Sequence, residues 1–180
     1  MKIKIHETLQ IPEGIECSFA QKKLVCKKDS LEVSRSIDIP GIDVEVKGSI
    51  LSFIAKKANK KELKKIKSQS AHVRNMFSGL SNKFVYKLEA CNVHFPMTLK
   101  VDSGFLVINN FLGEKISRKA KILPGVDIEV KGAKITLSSY DMELAGQTAA
   151  NIEKATKIKN RDRRIFQDGI FITEKPGASK

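Results

Sequence analysis

The amino-acid sequence predicts an α+β protein made of two tandem copies of a small antiparallel-sheet-plus-helix domain, an internal duplication, with a basic C-terminal extension. Three observations carry that reading. Pro40-Gly41-Ile42-Asp43-Val44-Glu45-Val46-Lys47-Gly48 returns 84 residues later as Pro124-Gly125-Val126-Asp127-Ile128-Glu129-Val130-Lys131-Gly132, with seven of nine positions identical and the other two exchanging Ile and Val. That period exceeds the roughly 20 to 50 residues of a solenoid unit and fits a small domain. Each copy also runs from short β-rich segments into a stretch of helical spacing, and the segment beyond the second helix has no counterpart in the first copy. The expected boundaries are residues 1–82, 83–158 and 159–180.

In the first copy, residues 15–19, 23–26, 31–37, 42–46 and 50–54 are short runs rich in β-branched or apolar side chains. Gly14, Lys28-Asp29-Ser30, Pro40-Gly41 and Lys47-Gly48 separate them, the punctuation of an antiparallel meander. The period then changes. Leu63, Ile66, Ser70, Val73 and Phe77 form one helical stripe, and Gly79 is the expected stop. The second copy repeats this from Phe84 to Ser138, with turns at Asp102-Ser103-Gly104 and Asn109-Asn110. Its helix is expected to start at Asp141 as N-cap and to turn Leu144, Thr148, Ile152 and Ala155 inward.

Composition bounds the partner. With 180 residues, 41% of them hydrophobic and 29% charged, the chain can fill two modest cores. Lys+Arg 33 against Asp+Glu 20 gives a formal charge of +13, which favours a polyanion: nucleic acid first, an anionic membrane surface second. No apolar run approaches the roughly 20 residues of a membrane span. The start, Met1 to Glu7, lacks the apolar stretch of a secretory signal, so a cytoplasmic chain is expected. Cys17, Cys26 and Cys91 are odd in number and widely spaced, which argues against a disulfide framework or a zinc site and for free, mostly buried thiols.

Catalysis finds no apparatus in the sequence. Asp43 with Glu45, and Asp127 with Glu129, put paired carboxylates on one strand face, but Lys47 and Lys131 share that face, and a solvated, charge-paired surface is the simpler account. His6, His72 and His94 are scattered and have no second ligand at metal spacing. No Gly-x-Ser-x-Gly element and no phosphate-cradling glycine loop occurs. The expectation is a non-enzyme without cofactor or metal.

Two basic clusters remain. Residues 56–67 hold Lys56, Lys57, Lys60, Lys61, Lys64, Lys65 and Lys67 against Glu62 alone; both RNA contact and plain solvation fit such a lysine-only face. The tail differs in kind. Lys154, Lys157, Lys159, Arg161, Arg163 and Arg164 lead into Phe166, Gln167 and Gly169 and the strand-like Ile170-Phe171-Ile172. Arginine forks suit phosphates, Asn160 and Gln167 suit sugars, and glycine permits close backbone approach. Alternatively, Phe166, Ile170 and Ile172 pin the tail to the second sheet while its arginines face water. The two readings are compatible.

Asn110-Phe111-Leu112-Gly113-Glu114-Lys115, Gly146-Gln147-Thr148-Ala149-Ala150-Asn151-Ile152, Ala155-Thr156-Lys157-Ile158-Lys159 and Phe166-Gln167-Asp168-Gly169-Ile170 resemble the ribosomal protein L6 family of the large subunit, in its archaeal form. The resemblance covers essentially the whole chain. It implies a structural constituent of the cytoplasmic ribosome that binds large-subunit rRNA near the stalk base and the sarcin-ricin loop, beside neighbouring ribosomal proteins, and supports the region where translation factors dock. Mapped onto this chain, it implies RNA contact by Lys157, Lys159, Arg161, Arg163, Arg164, Phe166, Gln167 and Gly169, and by the loop of Asn110 and Lys115. Gly146, Ala149 and Ala150 read first as small residues that let the second helix approach its sheet. The alternative is a stand-alone RNA-binding or ribosome-assembly factor that uses the same tail transiently.

Overall fold

The computed structural model describes residues 3–177 except 94 and 163. The chain divides between Asn82 and Lys83 into two compact units, each mixing antiparallel sheets with one long helix.

In the first unit, β1 (Ile3–Gln10), β6 (Ile50–Ala58) and β5 (Asp43–Lys47) form one sheet in the order β1-β6-β5. A second sheet has the order β2-β3-β4, from Glu16–Ala20, Lys23–Lys28 and Leu31–Ser36. Helix α1 (Lys60–Ser81) closes the core with Ile66, Val73, Met76, Phe77 and Leu80. Asn59 caps its start: its side chain accepts from Lys61 N at 2.7 Å, while Glu62 reaches back to Asn59 N at 2.9 Å, so two otherwise unsatisfied amides are met.

Two features depart from expectation. Strand β1 carries little strand signal in the sequence, because Lys4, His6, Thr8 and Gln10 give its outer face a polar composition and charged Glu7 lies between Ile5 and Leu9, which turn to the core. Helix α1 also runs past Gly79 to Ser81, with Asn82 as C-cap. Gly79 is buried in the last turn, and continuing the helix keeps Leu80, 3% exposed, on the core face. Burial there outweighs the roughly 1 kcal/mol helix penalty of glycine.

The second unit repeats the plan with additions. Strands β11 (Asp127–Lys131), β12 (Lys134–Ser139), β7 (Phe84–Cys91) and β13 (Gly169–Glu174) form a four-stranded sheet in that order. Strands β10 (Arg118–Lys121), β9 (Phe105–Asn109) and β8 (Thr98–Asp102) form a three-stranded one. Helix α2 (Met142–Ala155) starts at the expected N-cap, Asp141, and buries Ala145, Thr148, Ala149 and Ile152.

The duplication is visible in strand register. Asp43 pairs with Ile54 and Lys47 with Ile50; 84 residues on, Asp127 pairs with Ser138 and Lys131 with Lys134. Fully buried Leu51 and Phe53 are replaced at the same shift by fully buried Ile135 and Leu137. The repeated acidic pairs lie on the outer faces, where Lys47 meets Glu45 at 2.5 Å and Lys131 meets Glu129 at 2.7 Å, the charge-paired surface expected of them. A uniform 84-residue shift does not hold throughout. Leu9 opposite Leu51 corresponds to Leu88 opposite Ile135, an offset of 79. The second copy therefore carries five extra residues. The offset rises by three between Lys23↔Ser36 and Phe105↔Lys121, so the loop at 110–117 holds a three-residue insertion.

Candidate nucleic-acid interface

The insertion loop leaves β9 at Asn110, which adopts a left-handed backbone (φ 59°), and forms a single 3-10 turn, Phe111–Gly113. Leu112 (φ 50°) and Gly113 (φ 76°) are left-handed as well. For a leucine that conformation costs on the order of 1 kcal/mol and must be imposed by the surroundings. Three contacts impose it. Phe111 is fully buried, Asn110 Nδ2 donates to the Pro96 carbonyl at 3.1 Å, and the Phe95 ring lies against Gly113. Lys115 is exposed at the tip of the loop.

Arg118, at the start of β10, joins this loop to the tail. Its Nε and Nη2 donate to the two carboxylate oxygens of Glu114 at 2.8 and 2.6 Å. Nη1 donates to the carbonyls of Ala155 at 2.9 Å and Lys157 at 3.4 Å, at the C-terminal end of α2, where a cation also complements the helix dipole. The guanidinium lies over the Phe111 ring, 4.2 Å from its centroid. One side chain thus fixes the 110–117 loop against the beginning of the basic tail. Arg118 holds the Glu114 carboxyl below its ordinary range, with Arg161 adding to the effect.

Beyond α2 the tail is tied down at Thr156, which is buried and accepts from Ile170 N at 2.9 Å through its hydroxyl. Asp168, 2% exposed, accepts from Val93 N at 2.7 Å. Between these ties, Lys157, Lys159, Arg161, Arg164 and Gln167 are exposed and Phe166 is half-buried. The Arg161 guanidinium stacks 4.8 Å from the Phe166 centroid, which orients it while leaving its in-plane N–H groups available. Arg164 is engaged by Asp162 through Nη2 at 2.8 Å, and the ion pair lowers the Asp162 carboxyl and raises the guanidinium. Exposed pairs of this kind open readily. Gln167 Nε2 donates to the Arg164 carbonyl at 3.3 Å.

Gly169 turns out to be buried at the start of β13, where a Cβ would stand 3.0 Å from the Phe171 ring; packing explains it. The same holds for Gly146, whose added Cβ would lie 2.9 Å from the Tyr86 hydroxyl. Arg163 and His94 lie outside the described residues. A groove of ≈ 710 Å³ runs between the end of α2 and β13, with Val93, Ile158, Phe166 and Phe171 supplying apolar walls and Lys154 and Lys157 the cations. Sequence reasoning missed Arg118, Thr156 and Asp168, which act through backbone groups distant in sequence. In the first unit all seven lysines of residues 56–67 are exposed. Among the described residues no cluster of three or more metal-ligating side chains occurs, and no helix is long and apolar enough to cross a membrane.

The chain is 38% identical over 173 residues to the large ribosomal subunit protein uL6 of Methanococcus vannielii, covering 96% of this chain and 95% of the relative. The chain belongs to the ribosomal protein L6 family. The uL6 of Methanobrevibacter smithii is 39% identical over 175 residues, covering 95% of this chain and 96% of the relative, so the archaeal form of the family is the one matched. The family model described as Ribosomal protein L6 matches residues 95–169, a span that contains the insertion loop, Arg118, α2 and the tail up to the first residue of β13.

Proposed function

We infer that this chain is a structural constituent of the cytoplasmic large ribosomal subunit, and that its second unit binds large-subunit rRNA near the stalk base and sarcin-ricin loop, beside neighbouring ribosomal proteins. The observation that carries the binding face is Arg118, which unites the Asn110–Lys115 loop and the Lys157–Gln167 tail into one surface. Its relatives' name, large ribosomal subunit protein, supplies the assembly. On that surface, lysines and arginines neutralise phosphates and release counterions, so affinity comes chiefly from backbone charge and shape. Because Thr156, Asp168 and Phe166 already fix the tail, little ordering entropy opposes binding. Arg164 exchanges Asp162 for phosphate at small cost, since that pair is exposed.

The test is reconstitution of the purified chain with large subunits lacking their own copy. Stoichiometric comigration through a high-salt gradient is the expected result, with hydroxyl-radical protection of stalk-base and sarcin-ricin rRNA. A chain that washes off in salt would be an assembly factor instead. Protection confined to other rRNA would overturn the location.

A further inference from the structure

The β2–β3 register sets two thiols face to face. Cys17 lies directly opposite Cys26, and their Sγ atoms are 3.1 Å apart. Both are free cysteines, on the inner face that also carries Phe19 and Leu24. The three thiols are free, as expected, but only Cys26 is fully buried, and a tight hairpin brings Cys17 and Cys26, nine residues apart in sequence, together. Reaching a disulfide bond length takes about 1 Å of further approach. Cys26 is fully buried, whereas Cys17 is half-buried and offers an entrance.

We propose that Cys17 and Cys26 form a thiol–disulfide exchange site, converted by a low-molecular-weight disulfide into an intramolecular cystine that staples β2 to β3. Cys17, as thiolate, attacks one sulfur of the reagent disulfide; that S–S bond breaks and the first small thiol leaves. Cys26 then gives up its proton and attacks Cys17 Sγ, expelling the second small thiol. The protein loses two protons and two electrons, and the reagent disulfide takes them up to become two thiols. The order follows from access: half-buried Cys17 can be reached by the reagent, whereas fully buried Cys26 meets only Cys17, a contact that together with burial raises its thiol. The site belongs to the first unit and does not depend on the RNA-binding face.

The experiment uses the full chain carrying Cys91→Ser, because the exposed Cys91 would form its own mixed disulfide. Reduced protein is incubated with 2-hydroxyethyl disulfide, quenched by alkylation in denaturant, and read by intact mass and non-reducing peptide mapping. Expected are a product two hydrogens lighter that takes no alkyl group, a linked pair of Cys17 and Cys26 peptides, and a higher melting temperature reversed by reductant. Cys17→Ser should leave Cys26 fully alkylated. Retention of both alkylated thiols, or arrest at a mixed disulfide on Cys17, overturns the proposal. If Cys91→Ser fails to fold, the same map on the unaltered chain decides, since Cys91 falls on a separate peptide.

Discussion

Replacing Arg118 with Ala should loosen both halves of the basic face at once. The two-pronged contact with Glu114, between side chains 26% and 39% exposed, is worth about 1 kcal/mol. The charge-assisted bond to the Ala155 carbonyl contributes about 1.5–3 kcal/mol, and the guanidinium over Phe111 about 0.5–1 kcal/mol. These contacts share one side chain and do not simply add, so the net loss is about 2–4 kcal/mol. For a unit of this size that lowers the melting temperature by on the order of 10 °C. Thermal melts report the loss, and hydrogen exchange locates it: the Phe166 and Ile170 amides, bonded to Asp162 O and Thr156 Oγ1, should exchange faster. Arg118→Lys keeps the charge but not the fork, and should recover less than half. An Arg118→Ala protein with an unchanged melt and unchanged exchange at Phe166 and Ile170 would refute the joining role.

Other consequences are separable. Arg161→Ala with Arg164→Ala should weaken binding to rRNA fragments of any sequence and flatten the log–log salt slope by roughly 0.7–0.9 per lost phosphate contact, while the melt stays unchanged; an unchanged slope counts against the tail. Changing Lys60, Lys61, Lys64 and Lys65 to Gln should weaken rRNA binding only modestly and raise the first unit's melting temperature slightly, because cations at a helix start oppose its dipole; loss of subunit incorporation in this variant alone would invert the ranking of the two basic clusters. Since Arg118 depresses the Glu114 carboxyl, that group contributes stability above its ordinary 4.5 that is lost as pH falls through the depressed value, so Glu114→Gln should flatten this acid limb in pH-dependent melts. Gly146→Ala should destabilise the second unit through the Tyr86 hydroxyl 2.9 Å away, yet in a Tyr86→Phe background it should gain up to about 1 kcal/mol of helix propensity; additive effects in a denaturation cycle would contradict the contact.

What the sequence shows and what it hides divide by the range of the interactions. The nine-residue repeat fixes a hairpin, and the hairpin fixes register, so the position of the acidic pairs and the buried Leu51, Phe53, Ile135 and Leu137 follow from alternation alone. Arg118 is invisible for the opposite reason: its decisive partners are carbonyls 37 and 39 residues away, and a carbonyl has no sequence signature. The Cys17–Cys26 contact is hidden because adjacent strands alone do not give the register; the turn between Ala20 and Lys23 sets it and places residues nine apart directly opposite each other.

Internal duplication adds an argument that a single domain could not offer. The first unit shows what the shared plan needs in order to fold: two sheets and a 22-residue helix. The second departs from it with a three-residue loop insertion, a helix of 14 residues, and a returning chain that adds β13 beside β7. The shared plan folds without these additions, and Arg118 binds two of them together, the insertion loop and the segment that follows the shortened helix. Within the second unit, exposed lysines also lie on the common strands, at Lys87, Lys100, Lys119, Lys121, Lys131 and Lys134, so charge alone does not single out a face. What distinguishes the proposed one is that the exposed arginines Arg161 and Arg164, with Lys115, Lys157 and Lys159, sit on the departures that Arg118 joins.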